Sequence, residues 1–269
     1  MATHALVYPE PPKVRHSLAE MGRIFWEAGS NKALAPWYKL LPAGDGHSVM
    51  TLPGFLGADG SMASIRKFLD QRGYAALPWG LGRNFPEDGV SDMEGMLEFR
   101  GEVEKSLADK LLQEKKRSGG KVSLVGWSLG GMYAAGLAHR YPDLVRGVVT
   151  LGTPFGDPRG TALYGPMQRA FGAQVDIEML DRWIEFSFKG ELQVPITALY
   201  SRSDGFVGEG IAQLPEHPLM ESIAVMASHV GFPFNPLVRL LLAERLAQPG
   251  GGWQRYQSLT LKPFVQLPA

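Results

Sequence analysis

Short apolar runs alternate with amphipathic segments through most of the 269 residues of this chain. The apolar runs are rich in β-branched side chains and predict strands at residues 48–52, 74–77, 121–125, 145–151, 196–200 and 222–225. The amphipathic segments between them predict helices at residues 61–72, 93–116, 132–140 and 237–246. This alternation predicts a mostly parallel sheet with right-handed crossovers and helices on both of its faces.

The N-terminal region precedes the alternating pattern. Residues 1–15 are rich in proline and predict an extended arm. From residue 17 to about residue 38 apolar residues recur at helical spacing, and Ser17 with Glu20 three positions later predicts a capping box at the start of a helix. We expect residues 1–269 to form one domain, because α/β chains of this length often do.

Composition narrows the possible functions. Lys and Arg together number 27 and so do Asp and Glu, so the net charge is zero and offers no general attraction to nucleic acid or to an anionic membrane. The absence of cysteine excludes disulfides and thiolate catalysis. The chain has neither a signal-peptide pattern nor an apolar run of about 18 residues, which predicts a cytoplasmic protein without an integral membrane segment. No cofactor or metal motif is present, and the sequence leaves the oligomeric state open.

One long stretch, from residue 151 to residue 194, interrupts the alternation. It has two helix-like pieces, at about 163–171 and 177–188, and no strand pattern. Because structureless loops of this length are rare in compact domains, we predict a helical cap insertion at residues 156–193 over the functional site. Its aromatic and methionine side chains favour an apolar substrate group, although they could equally serve only to pack the cap.

The pentapeptide GWSLG at residues 126–130 fits the pattern G-x-S-x-G, with a predicted strand before it and a predicted helix after it. Such a sharp strand-to-helix turn exposes the hydroxyl of Ser128, and its glycines allow a close approach of neighbouring backbone. The N-terminus of the following helix favours a developing anion. The alternative is a strand, a turn and a helix with an incidental serine.

A serine nucleophile needs a base, and the base needs a group that orients it. Of the six histidines, only His229 follows a late predicted strand at its carboxyl end, where the sites of open α/β sheets form. Asp204 follows the preceding strand in a glycine-containing turn, so we predict it as the acid. Asp157, after an earlier strand, is the alternative acid, and Asp204 could also simply hydrogen-bond its own turn.

The oxyanion of an acyl-transfer intermediate needs two preorganised N–H donors. We predict the N–H groups of Leu129, directly after the nucleophile, and of Phe55, after the Pro-Gly turn that ends the first strand. We further predict substrate contacts from Trp127, beside the nucleophile, and from Met167 and Trp183 in the cap. The segment WGLGRN at residues 79–84 follows a strand end and could border the pocket or form a structural turn.

With these residues placed, the chain resembles the α/β-hydrolase superfamily, and within it the bacterial serine esterase and lipase-like group. The similar segments are LPGFLG, GWSLGG, VVTLGTP, YSRSDGFV and SHVGFPFNP, in this order, over about residues 48–246. The resemblance implies the α/β-hydrolase fold, with a mostly parallel doubly wound sheet and a helical cap insertion. The sequence departs from many lipases at Pro53, where those enzymes have histidine before the glycine of the oxyanion loop.

The resemblance also implies hydrolysis of a small-molecule carboxylic ester through an acyl-enzyme, with Ser128, His229 and Asp204 as the triad and with no cofactor. Acyl transfer and thioester hydrolysis by the same triad are alternatives that the sequence does not separate. A third possibility is a binding module without catalysis, since a fold does not by itself imply a function.

Overall fold

A seven-stranded sheet lies at the centre of the computed structural model, which describes residues 9–87, 89, 93–171, 177–257 and 265–266. The strand order is β2-β1-β3-β4-β5-β6-β7, in which the first six are parallel and β7 is antiparallel to β6. The strands are β1 (Ser48–Leu52), β2 (Ala75–Pro78), β3 (Val122–Trp127), β4 (Val145–Leu151), β5 (Ile196–Tyr200), β6 (Met220–Val225) and β7 (Val265–Gln266).

Helices connect and cover these strands. They are α1 (Val14–Leu34), α2 (Asp59–Gln71), α3 (Met93–Ser118), α4 (Leu129–Arg140), α5 (Tyr164–Phe171), α6 (Ile177–Glu185) and α7 (Pro236–Leu246), and a 3-10 helix at Ala35–Leu40 continues α1. Among the described residues, no helix is long and apolar enough to cross a membrane.

The helices cover both faces of the sheet, as the sequence predicts for a doubly wound arrangement. Successive strand residues point to opposite faces, so Leu124 packs in one core cluster and Val125 in the other. The first cluster contains residues of α3 and α4, and the second contains residues of α2 and α7. Because both faces of the sheet are covered by apolar clusters, the sequences of the strands consist mainly of apolar residues.

The strand order places a topological switch point between β1 and β3. The chain leaves β1 towards β2 on one side, and it leaves β3 towards β4 on the other. Crevices form outside the carboxyl ends of strands at such points, because the two crossovers diverge there. The loop after β1 and the turn after β3 therefore meet at the edge of the sheet.

Helix α1 differs from its prediction at its N-terminus. It begins at Val14, so the last two residues of the predicted arm 1–15 are helical, and residues 1–8 lie outside the described residues. The predicted capping box is wrong. The Ser17 hydroxyl donates to the Gly205 carbonyl and the Glu20 carboxylate accepts from three N–H groups beyond β5 and β6. Tertiary partners thus compete successfully for both side chains.

The segment between β4 and β5 contains α5 and α6, and residues 172–176 between these helices lie outside the described part of the chain. Helix α6 packs on α3. The guanidinium of Arg100 lies 4.0 Å from the ring centroid of Trp183 and donates to the Trp183 carbonyl, and Arg182 pairs with Glu94. That the insertion at 156–193 covers Ser128 stays a prediction.

Candidate active site

The turn between β3 and α4 holds Ser128 in a strained backbone conformation. Its φ is 53° and its ψ is −123°, in a region that residues with a Cβ rarely adopt. The turn is so tight that a Cβ on Gly126 would lie 2.5 Å from the carbonyl oxygen of Gly130. A Cβ on Gly130 would lie 2.4 Å from the carbonyl oxygen of Leu52. The glycines of the pentapeptide are therefore required by the local packing.

A continuous line of hydrogen bonds runs from this serine to a buried carboxylate. His229 Nε2 lies 3.1 Å from Ser128 Oγ, and His229 Nδ1 lies 2.8 Å from Asp204 Oδ2. The other carboxylate oxygen, Oδ1, accepts the N–H groups of Phe206 and Val207 at 2.7 and 2.8 Å. Asp204 thus makes both of the contacts that its sequence position suggests: it holds its own turn and it faces the histidine.

The environment of His229 favours its protonated form. Burial alone would lower its pKa, but the charge and hydrogen bond of Asp204, together with the charge of Glu20, raise the pKa above its ordinary value of 6.5. An imidazole with this balance accepts a proton readily when a neighbouring hydroxyl releases one.

The alternative acid, Asp157, has a local role in the structure. Its Oδ1 accepts the N–H of Arg159 at 2.9 Å and its Oδ2 accepts from Arg159 Nε at 2.7 Å. Asp157 caps the short helical turn Pro158–Gly160 in this way. The carboxylate that contacts His229 is therefore that of Asp204.

The loop after β1 lies directly against the serine turn. A Cβ on Gly54 would be 3.1 Å from the Cβ of Ser128. The hydrogen bonds found among the described residues use neither the N–H of Phe55 in this loop nor that of Leu129, whose N–H as the first residue of α4 has no partner within the helix. Phe55 follows the glycine that lies against Ser128, and Leu129 follows Ser128 itself. Neither predicted donor is engaged in a hydrogen bond found among the described residues.

Asn84, at the end of the WGLGRN segment, holds this loop in place. It is fully buried, and its Nδ2 donates to the Pro53 carbonyl at 2.8 Å, while its backbone pairs with Leu56 and Gly57. The Tyr133 hydroxyl of α4 donates to Asn84 Oδ1 at 3.1 Å. The sequence leaves open whether this segment borders the pocket or forms a structural turn, and it does not predict that its asparagine joins the loop after β1 to α4.

Two buried carboxylates of α1 hold the loops that carry Asp204 and His229. Glu20 accepts the N–H groups of Gly205 at 2.8 Å and of His229 at 2.9 Å through Oε1, and that of Val230 through Oε2. Glu27 accepts the N–H of Ser228 at 2.7 Å, and burial raises the pKa of Glu27 against the opposing hydrogen bonds from Ser228.

Sequence reasoning missed the role of these two glutamates. The sequence offers one indication of this role. The two glutamates lie seven positions, or two helical turns, apart on one face of a helix whose other face is apolar. The predicted capping box assigns Glu20 a partner at the start of the helix, so the sequence does not direct attention to the loops after β5 and β6.

The three residues predicted to contact substrate have different surroundings. Trp127 Nε1 donates to the His229 carbonyl at 3.0 Å, which fixes the histidine loop from the side of β3. Trp183 is buried against Arg100, and Met167 lies in α5 with its side chain outside the described part of the structure. Contact of these residues with a substrate stays a prediction.

A doubly wound parallel sheet, with a serine on a strained strand-to-helix turn and an Asp–His pair at the ends of later strands, is the architecture of an α/β hydrolase. Residues 23–261 match the alpha/beta hydrolase family, and the chain belongs to that family. A comparison with curated protein sequences gives no match.

Solved structures support the same fold at low sequence identity. A lipase of Bacillus licheniformis, BlEst2 in its mature form, is 16% identical with a TM-score of 0.54, over 77% of this chain and 94% of that one. A structure from work on the metagenome-derived lipolytic enzymes LipS and LipT is 14% identical with a TM-score of 0.52, over 77% and 94%. A soluble variant of monoglyceride lipase from Saccharomyces cerevisiae, in complex with a substrate analogue, is 14% identical with a TM-score of 0.52, over 76% and 87%.

Proposed function

We propose that this protein is a serine hydrolase of carboxylic esters that acts through an acyl-enzyme. The observation that carries the proposal is the line of hydrogen bonds from Asp204 Oδ2 through His229 to Ser128 Oγ. A serine hydroxyl becomes a useful nucleophile only when a base removes its proton, and His229 Nε2 is within reach of that proton. Asp204 keeps the proton of His229 on Nδ1, so that Nε2 presents its lone pair to the serine.

In the acylation step Ser128 Oγ forms a bond to the ester carbonyl carbon, and its proton passes to His229 Nε2. The carbonyl oxygen gains the negative charge in the tetrahedral intermediate. The N–H groups of Phe55 and Leu129 are the donors available to this oxygen, and the N-terminus of α4 adds a favourable potential. The intermediate collapses when the ester C–O bond breaks and His229 returns its proton to the departing alkoxide.

In the deacylation step the same groups act on water. His229 takes a proton from a water molecule, whose oxygen attacks the acyl carbon of the Ser128 ester. The second tetrahedral intermediate collapses when the bond between the acyl carbon and Ser128 Oγ breaks and His229 returns its proton to Oγ. The products are a carboxylic acid and the free enzyme, so the cycle needs no external cofactor.

The three solved structures compared above are described as lipases or lipolytic enzymes, and this supports an ester with an apolar acyl group. The predicted cap contributes to the same choice, since Trp183 of α6 belongs to the core cluster that contains Leu129 and Phe186, just after α6, packs against that cluster. An apolar wall beside the nucleophile would exclude water and strengthen the hydrogen bonds to the oxyanion.

The test is covalent labelling combined with a substrate series. A fluorophosphonate should attach to Ser128, and the labelled enzyme should lose its activity towards p-nitrophenyl esters of increasing acyl length. Ser128→Ala should neither label nor hydrolyse. An adduct located by mass spectrometry on another residue, or an unlabelled protein without esterase activity, would refute the proposal. Transfer of the acyl group to an added alcohol in preference to water would reassign the enzyme to the acyltransferases.

A further inference from the structure

Helix α1 turns its apolar residues away from the protein. Val14, Leu18, Met21 and Phe25 follow the spacing i, i+4, i+7 and i+11, which places them on one face of the helix. All four are exposed, Leu18 to 79% and Phe25 to 74% of its surface. An amphipathic helix on a globular protein normally buries this face.

The polar face of α1 is the one that binds the protein, and it binds at several points. Ser17 donates to the Gly205 carbonyl, Arg23 donates to the Ser203 carbonyl, and Glu20 and Glu27 accept N–H groups from the loops after β5 and β6. Rotation of the helix to bury its apolar face would break all of these bonds. The orientation of α1 is therefore fixed by its polar contacts.

Further large apolar side chains extend this surface. Trp26 lies beside the four-residue stripe, and Trp37 and Leu40 of the following 3-10 helix are exposed as well. We call Val14, Leu18, Met21, Phe25 and Trp26 the α1 apolar face. A large contiguous patch of exposed apolar side chains on a folded protein commonly marks an interaction site.

The exposed charges from Lys13 to Lys39 are of one sign, while Glu10, just before them in the chain, is an exposed carboxylate. Lys13, Arg15, Lys32 and Lys39 are exposed along α1 and its 3-10 extension. The only carboxylates between residues 11 and 41 are Glu20 and Glu27, and both are buried in contacts with the protein. The zero net charge of the whole chain therefore hides a local region whose solvent-facing charges are all positive.

We propose that the α1 apolar face binds the surface of an anionic lipid bilayer. A helix that lies in a membrane interface combines an apolar face containing Trp, Phe and Leu with flanking cations that meet the anionic headgroups. Tryptophan prefers the headgroup level, and Trp26 of this face and Trp37 of the following 3-10 helix are both exposed. The inference rests on α1 alone and does not depend on the proposed ester hydrolysis.

The same charges argue against a second copy of the chain as the occupant. A two-fold dimer through this face would bring the patch against itself, because both subunits contribute the same surface. Its border of lysine and arginine would then meet an identical border with no exposed carboxylate of α1 to offset it. An anionic lipid surface, by contrast, neutralises all four cations.

Binding through α1 would also place the active site next to the lipid. Glu20 and Glu27 connect α1 directly to the loops of Asp204 and His229. The catalytic loops would then lie about one helix diameter, roughly 10 Å, from the headgroups. An enzyme held in this way meets apolar molecules at the surface in which they concentrate.

The experiment is flotation of the full chain with vesicles. One set contains phosphatidylcholine alone, and the other contains phosphatidylcholine mixed with phosphatidylglycerol. The wild type should float with the mixed vesicles and less with the neutral ones. The double variant L18S/F25S should reduce the binding constant on the order of 100-fold, because two large side chains no longer enter the bilayer. The matched control is L112S, which removes an exposed leucine from α3 and should bind as the wild type does.

The cations are tested in a second pair of variants. K13Q/K32Q should weaken binding to the mixed vesicles by about fivefold for each charge, and added salt should weaken the wild type in the same direction. The matched control is K105Q/K116Q, which removes two exposed lysines from α3. Circular dichroism and thermal unfolding show that each variant is folded, and hydrolysis of a water-soluble ester should be unchanged in L18S/F25S.

Three results would overturn the proposal. The first is a wild type that floats with neither kind of vesicle, or equally with both. The second is binding that L18S/F25S does not reduce more than L112S does. The third is a wild-type dimer by light scattering that L18S/F25S converts to a monomer, since the α1 apolar face would then be covered by a second copy.

Discussion

Two negative charges on different sides of His229, the base of the proposed mechanism, determine its pKa together with burial. Asp204 approaches its Nδ1 from the loop after β5, and Glu20 approaches its backbone N–H from α1. Both charges raise the pKa of His229 against the effect of burial. Because the base must be neutral to accept the serine proton, kcat/KM should fall on the acid side through this raised pKa.

Glu20→Gln should move that acid limb to lower pH. The substitution removes a negative charge that raises the pKa of His229, so the imidazole stays neutral further into the acid range. The measurement is the pH dependence of kcat/KM on a soluble p-nitrophenyl ester.

Glu27→Gln is the matched control for this experiment. It changes a second buried carboxylate of α1, which binds Ser228 but does not contribute to the pKa shift of His229. The Glu27→Gln variant should lose some stability, while the acid limb of its kcat/KM profile should stay at the wild-type pH. A limb that moves equally in both variants would mean that α1 acts on the histidine only through packing.

The choice between the two candidate acids is tested in the same way. Asp204→Asn should lower kcat on the order of 10⁴-fold, because the amide would stabilise the wrong tautomer of His229. Asp157→Asn should leave kcat close to that of the wild type, since the Asp157 carboxylate accepts from Arg159 in its own turn and the one that contacts His229 is Asp204. The reverse pattern would assign the acid to the loop after β4.

At the scale of elements, the loop after β1, which we propose as the oxyanion loop, depends on a neighbour outside it. Asn84→Ala removes the bond to the Pro53 carbonyl and leaves that buried oxygen and the Tyr133 hydroxyl without this partner. A shift of the Phe55 N–H by about 1 Å is expected to lower kcat on the order of 100-fold with a smaller change in KM.

Two controls separate this positioning effect from a loss of folding. Arg83→Ala changes the exposed neighbour of Asn84 and should be silent. Tyr133→Phe removes only the bond to Asn84 Oδ1 and should lower kcat less than Asn84→Ala does. If Asn84→Ala lowers the unfolding temperature but leaves kcat unchanged, the asparagine stabilises the fold without aligning the loop.

Elements differ in how far the sequence predicts them. The predicted strands 48–52, 145–151 and 196–200 agree with β1, β4 and β5 at both ends, because apolar and β-branched residues predominate in buried parallel strands. Serine, histidine and aspartate were assigned from their places at strand ends, which the parallel topology brings to one edge.

What the sequence did not predict depends on contacts between distant segments. Glu20 lies 209 positions from His229, and Asn84 lies 49 positions from Tyr133. No local pattern marks such pairs, because any buried carboxylate or amide can accept the partners that the tertiary fold offers. For the same reason the sequence does not predict that the apolar face of α1 points to solvent. Helical spacing shows which residues share a face but not whether that face is buried or exposed.

At the scale of the whole molecule, a second Ser–His–Asp arrangement lies at the opposite edge of the sheet. His47 Nε2 is 2.8 Å from Ser123 Oγ, and its Nδ1 contacts Asp45, which also pairs with Arg146. These residues lie near the amino ends of β1, β3 and β4. The same three side-chain types are thus hydrogen-bonded in the same order at both ends of the fold.

The surroundings of the two serines differ in the features that catalysis needs. Ser123 lies within β3, paired with Val49 and Gly147 in the parallel ladders on both sides, so its backbone is regular and the neighbouring N–H groups bind other strands. Ser128 lies on a strained turn before the N-terminus of a helix. Of these two serines, Ser128 alone therefore lies beside the N–H groups that we propose as oxyanion donors.

Ser123→Ala should accordingly retain esterase activity and fluorophosphonate labelling at Ser128. Its main effect should be a loss of about 1 kcal/mol in the free energy of unfolding, because one buried hydrogen bond disappears. Ser128→Ala should lose both activity and labelling while keeping its stability, since the removal of a hydroxyl from a strained turn leaves the core unchanged. Labelling of Ser123 in the Ser128→Ala variant would show that hydrogen bonding among the three side chains suffices for reactivity. If Ser123 is not labelled in that variant, the reactivity of Ser128 depends on its strained turn and on the N–H groups beside it.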